Sequence, residues 1–186
     1  MRNHLVRMGT LFFSGCPVTA TFDPGSLQAY LQSLRRTYQA KQSLLGRSIL
    51  DLPDLMIRVG TWSQPDAARP VPPEILSAAS AIDARLNALM LLVGGSGTGK
   101  STLLMQTLLR TVERNSERLP VLARLQNFRT SIVDLLQAEM SASGLELSSS
   151  EIEALLSQNK LLVLLDDLED LSQAGFSNLK AFCQAY

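Results

Sequence analysis

The stretch "LMLLVGGSGTGKSTLLMQ", from Leu89 to Gln106, limits what this chain can fold into more than any other. It sets four glycines within the six positions 94–99, between an apolar run and a leucine-rich segment. Gly94, Gly99, Lys100 and Ser101 satisfy the spacing G-x-x-x-x-G-K-[ST]. Glycines permit backbone angles that turn successive N–H groups inward, and their missing side chains let a phosphate approach closely. A lysine at the opening of the following helix adds a mobile positive charge, and the next hydroxyl can reach Mg²⁺. The helix itself aims free amides and the positive end of its dipole at the same anion. Gly94, Gly95, Ser96, Gly97, Thr98, Gly99, Lys100, Ser101 and Thr102 are therefore candidate phosphate-binding residues. The competing reading is a glycine turn with no ligand. The context opposes it: Leu89 to Val93 suits a buried parallel strand, and Lys100 to about Glu113 is leucine-periodic.

A second constellation lies 66 positions beyond Lys100. In "LLVLLDDLED", five apolar residues from Leu161 to Leu165 end at Asp166. That places a carboxylate at the carboxyl end of a buried strand, where ligands of open α/β sheets collect and where Mg²⁺ is held. Ser101 and Asp166 are the candidate metal ligands. Asp167, Glu169 and Asp170 crowd the same tip, and Asp167 or Glu169 can orient or deprotonate an attacking water. A solvated helix cap is the alternative for these acids.

Around the two motifs the chain alternates. "LPVLARL" reads as a strand, residues 130–142 and 148–158 as helices, "KLLVLLDD" as a strand, and a last helical piece follows Asp170. This is α/β alternation with a parallel sheet. Upstream, Asp23 can cap and Pro24 open a helix in which Leu27, Tyr30, Leu31, Leu34 and Tyr38 recur at helical spacing, with Arg35, Arg36 and Lys41 on the wet side. Packing on its own domain is favoured over docking a partner. Asp51 to Pro73 carries five prolines and the only Trp, as an irregular connector would. "EILSAASAIDARL" then reads as a short amphipathic helix with Ile75, Ala79, Ile82 and Leu86 on one face. The expected organisation is a helical flank over 1–50, a connector over 51–73 and a partial nucleotide domain over 74–186.

With 17 basic and 17 acidic residues the net charge is zero, which leaves no electrostatic footprint for nucleic acid or an acidic membrane. No apolar run approaches the roughly 18 to 20 residues of a spanning helix. The amino terminus loosely resembles a lipoprotein signal ending at Cys16, but Arg7 interrupts its apolar patch. Cys16 and Cys183 follow no metal or CxxC spacing, so free thiols in the cytoplasm are expected.

At its motifs the sequence resembles the NACHT family of STAND-type P-loop NTPases, relatives of the AAA+ ATPases. The resemblance covers about Ala88 to Tyr186. "LMLLVGGSGTGKSTLL" looks like the family's Walker A, "LPVLARLQNF" like its second strand, and "LLVLLDDLED" like its extended Walker B. Asp166 matches the Mg²⁺-site aspartate, and Glu169 and Asp170 match the downstream acidic pair. Asp167 departs from the pattern, a carboxylate replacing a small residue, and it stands where related enzymes place a catalytic acid. The resemblance implies a switch that holds ATP or GTP with Mg²⁺, hydrolyses it slowly, and changes between a monomer and a self-associated state that activates effector or sensor domains of a longer chain. It further implies a sheet with a central gap, because the family's γ-phosphate-sensing strand has no counterpart before Tyr186. The expected chain is thus a partial module, with turnover only on completion. A non-catalytic interaction module and another AAA+-type ATPase are the alternatives. A transporter ATPase is disfavoured by the lack of an LSGGQ-like signature.

Overall fold

The computed structural model describes residues 23–41, 48, 49, 52, 56–59, 74–84, 89–114 and 116–186. The first helix, α1 (Pro24–Gln39), begins as its sequence dictates: the Asp23 carboxylate accepts from the Ser26 amide at 2.9 Å, and Pro24 occupies the first turn. Tyr30 and Leu34 are fully buried, while Leu27, Leu31 and Tyr38 pack at the margin of the same core. The apolar stripe of α1 thus serves its own domain.

Two short strands follow, β1 (Met56–Val59) and β2 (Glu74–Ser77), paired antiparallel with Met56 opposite Ser77 and Val59 opposite Glu74. Both differ from the sequence reading. The proline-rich connector supplies a strand, and the helix expected from Glu74 starts only at Ala78 as α2 (Ala78–Asp83), capped by Ser77. Hydrogen bonding to β1 holds Glu74–Ser77 extended, so Ile75 leaves the helical face and stands 60% exposed. Ala78 and Ala81 form the buried side of α2. Apart from Leu52, the rest of the connector lies outside the described residues, as do Leu86 and the signal-like amino terminus with Cys16.

The central layer is a parallel pair, β3 (Leu119–Arg124) and β4 (Leu161–Asp166), in register from Leu119 opposite Leu161 to Arg124 opposite Asp166. Successive side chains of a strand point to opposite faces. Since Leu119 to Ala123 are all buried, both faces of β3 are covered, with α3 (Lys100–Glu113) and α4 (Ile132–Ala142) each packing on it. The crossover to β4 runs through α4 and α5 (Ser149–Ser157), and α6 (Gln173–Ala185) closes the chain. The Asn178 side chain of α6 accepts from the Ile132 amide at 3.1 Å, tying α6 to the first turn of α4. The architecture is α/β: a small, incomplete parallel sheet flanked by helices and preceded by a helical segment.

One expected strand does not form. Leu89 to Val93 carries no ladder, and Leu89, Leu91 and Val93 are 80%, 65% and 80% exposed. Five apolar residues favour extended backbone, yet a strand exists only through hydrogen bonds to a partner. The described sheet is two-stranded, and no described strand pairs with the other edge of β4. The run leading into the glycine loop therefore stays open to solvent.

Candidate functional site

Among the described residues, helix starts follow one rule with one exception. Five of the six described helices carry a Ser or Asp side chain that accepts from their own first-turn amides: Asp23, Ser77, Ser131, Ser148 and Ser172. Helix α3 opens instead on Gly99, at φ 90° and ψ 14°, with no side-chain cap. This left-handed conformation suits glycine, and it leaves the amides of the first turn without a competitor for an external acceptor. Gly97 also has positive φ, at 76°. Gly97 and Gly99 thus occupy backbone angles that favour glycine.

Within the loop, the Lys100 ammonium folds back and donates to the carbonyls of Gly94 and Gly95, at 2.8 and 3.0 Å. The Thr98 hydroxyl donates to the same Gly95 carbonyl at 2.9 Å. A β-carbon on Gly94 would lie 2.7 Å from that hydroxyl, so glycine there makes room for the Thr98 side chain. Gly94 to Thr98 and Ser101 are exposed, and Gly99, Lys100 and Thr102 half-buried. The loop is an open surface feature.

The acidic tip is organised separately. Asp166 ends β4, half-buried. Asp167 adopts left-handed backbone at φ 61° and ψ 46°, and the chain enters a 3-10 turn over Leu168–Asp170, closed by the Asp170 amide on the Asp167 carbonyl at 3.1 Å. Aspartate is among the few non-glycine residues that visit this region readily, which gives a physical reason for Asp167 where a small residue was expected. Burial pushes the Asp167 carboxyl above the ordinary carboxylate range; the charge of Asp166 adds to this, Arg124 opposes it, and Asp170 and Glu169 contribute less. Glu169 and Asp170 themselves are exposed.

The layer geometry brings the two clusters to one end. Helix α3 packs against both β3 and β4, and only positions 114–118 separate Glu113 from Leu119 in the chain. Helix and strand are both about 20 Å long. The amino end of α3, with Lys100 and Ser101, therefore returns to the carboxyl ends of β3 and β4, where Arg124 and Asp166 stand opposite each other. No hydrogen bond or ion pair joins loop to tip among the described residues. Nor do the described acids, cysteines and histidines include a group of three placed to hold a metal unaided. Arg124 belongs to neither sequence motif; the parallel register of β3 and β4, a property of the folded backbone, sets it level with Asp166.

Residues 84–185, more than half of the chain, match the sequence model of a protein family described as the AAA domain. No curated protein and no solved structure matches the chain significantly. Among the described residues no helix is long and apolar enough to cross a membrane. Together with the fold, the family match marks a nucleotide-binding, P-loop-type domain.

Proposed function

The chain belongs to the AAA domain family, and from that premise we propose that Gly94 to Thr102 binds the phosphates of ATP or GTP. The observation that carries this is the uncapped, left-handed Gly99 opening α3 directly before Lys100. In this reading the amides from Gly95 to Thr102 cradle the phosphate oxygens, and Lys100 turns from the loop carbonyls toward the terminal phosphates.

Ser101 and Asp166 offer one hydroxyl and one carboxylate at the same end of the layer. That donor set fits Mg²⁺, which typically takes one or two protein oxygens and completes its shell with phosphate and water. When bound, Mg²⁺ supplies neutralisation of phosphate charge. Asp167, next to Asp166, and Glu169 are the two candidates to hold an attacking water and accept its proton.

The biological role proposed is that of a slow switch of the NACHT, STAND type, working in the cytoplasm through self-association or attached effector and sensor domains. The family match equally fits a AAA-type ATPase outside that branch. Among the described residues, the run Leu89–Val93 and the outer edge of β4 have no strand partner, which supports the reading that turnover requires a completed sheet. The division into a flank over 1–50, a connector over 51–73 and a nucleotide domain over 74–186 is part of this proposal, with α1 contributing to the core of the last.

The decisive test is equilibrium binding of ATP and GTP with Mg²⁺ to the unmodified chain and to Lys100→Ala. Clear loss of affinity in the variant is expected; equal binding would sink the assignment. Single-turnover hydrolysis with Asp167→Asn and Glu169→Gln separately identifies the water-positioning acid, and absence of turnover in the unmodified chain favours a non-catalytic switch.

A further inference from the structure

Three donors converge on one carbonyl of the loop. The Gly95 oxygen accepts from the Thr98 hydroxyl at 2.9 Å, from the Lys100 ammonium at 3.0 Å and, at the long limit of 3.5 Å, from the Thr98 amide. The neighbouring Gly94 oxygen accepts from Lys100 at 2.8 Å. The Thr98 side chain lies over the Gly94–Gly95 peptide closely enough that a β-carbon on Gly94 would sit 2.7 Å from its hydroxyl and one on Gly95 would sit 3.9 Å from its methyl. Lys100 is thus tethered in the free protein, and the threonine hydroxyl duplicates one of its two bonds.

We propose that Thr98 is a positioning residue of the phosphate loop, holding the Gly95 carbonyl so that Lys100 can leave it for a bound triphosphate. The inference rests on the nucleotide reading of this loop. When the ammonium moves to phosphate, both carbonyls lose a charged donor beneath a ligand that excludes water. A carbonyl left without a partner in such a place carries a desolvation cost comparable to a lost hydrogen bond. Thr98 removes that cost at Gly95, and as a neutral hydroxyl it leaves the positive charge of Lys100 undivided for the phosphates. Its place in the motif is one the spacing G-x-x-x-x-G-K-[ST] leaves free, so the assignment comes from the bond to Gly95 and from the room left by Gly94. Valine at this position keeps the branched shape and removes the donor, whereas serine keeps the donor and removes the methyl.

The test compares Thr98→Val and Thr98→Ser with the unmodified chain by calorimetric titration of MgATP, alongside the carbonyl ¹³C resonance of Gly95 in the free proteins. Thr98→Val is expected to weaken MgATP binding about fivefold, the equivalent of one hydrogen bond, and to shift the Gly95 resonance. Thr98→Ser should restore both, which a simple loss of packing would not allow. Unchanged affinity in Thr98→Val, a serine variant as weak as the valine variant, or an unmoved Gly95 resonance would each overturn the assignment. Failure of the nucleotide reading is recognised separately: the unmodified chain then binds no MgATP, or Lys100→Ala binds it equally well, while the Gly95 resonance still responds to Thr98→Val. In that case the role assigned to Thr98 falls with it.

Discussion

The hydroxyl of Tyr30 in α1 donates to the carbonyl of Pro120 in β3 across 2.8 Å, ninety positions apart and out of contact with water. The bond closes a sheet edge. The Leu119 amide points toward β4, donating to the Lys160 carbonyl at 2.8 Å, so the backbone groups of Pro120 point the other way. Proline has no amide to leave unsatisfied there, and Tyr30 satisfies its carbonyl. Burial pushes the Tyr30 hydroxyl well above the usual tyrosine range, with Tyr38 and Glu139 adding to it, so it remains a donor throughout the neutral range. Tyr30→Phe keeps the ring and strands the carbonyl. The expected loss is about 1–3 kcal/mol, read as a lower urea midpoint at unchanged slope. A midpoint equal to that of the parent would show that α1 does not guard this edge.

Much of this fold was legible from the sequence, for reasons that differ by element. Helix α1 announced itself through Asp23, Pro24 and the spacing of Tyr30 and Leu34, all local signals. Strands β3 and β4 were legible as uninterrupted apolar runs, which burial on both faces demands of β3. Leu89–Val93 sends the same signal and forms no strand, because pairing belongs to a partner elsewhere in the chain and not to the run itself. Likewise Glu74–Ser77 carries helical periodicity that the bonds to Met56–Val59 override. At the site, the glycine spacing exposed the loop, but the tethering of Lys100 and the level placement of Arg124 and Asp166 depend on folded backbone.

The capping box of α5 gives a prediction with a definite pH dependence. Ser148 accepts from the Glu151 amide at 3.3 Å, and the Glu151 carboxylate accepts from the Ser148 amide and hydroxyl at 2.8 and 2.6 Å. The side-chain and then the backbone hydrogen bond from Ser148 hold the Glu151 carboxyl below its ordinary value. A depressed carboxylate contributes stability above its unfolded value of about 4.3 and loses it as pH falls through the folded value. Ser148→Ala should cost about 1 kcal/mol at neutral pH. Glu151→Ala should be less stable than the parent at pH 7, with the gap between their melting temperatures narrowing below pH 4. A gap independent of pH would mean that the box contributes nothing through its charge.

Glycines 94 and 97 should fail for different reasons when replaced by alanine. At Gly97 the backbone φ of 76° is the obstacle, since nothing lies within 4 Å of a β-carbon there. The left-handed conformation costs an L-residue about 1–2 kcal/mol, and no second mutation nearby can relieve it. At Gly94 the obstacle is the Thr98 hydroxyl at 2.7 Å. Adding Thr98→Ala to Gly94→Ala should therefore recover thermal stability, whereas adding it to Gly97→Ala should not. Melting temperatures of the two double variants decide the matter, and equal recovery in both would contradict this division of roles.

The open run before the loop can be separated from the core by opposite responses to substitution. Leu91 is 65% exposed and outside the buried cluster, whereas Leu136 in α4 is 0% exposed within it. Surface changes of this kind fall within about 0.5 kcal/mol, while truncating a buried leucine removes its transfer energy and leaves a cavity, at about 2–5 kcal/mol. Leu91→Lys should hence leave the urea midpoint of the free protein almost unmoved, and Leu136→Ala should lower it substantially. If Leu91→Lys proves as damaging as Leu136→Ala, the run from Leu89 to Val93 is packed in solution, and the two-stranded sheet has a third member.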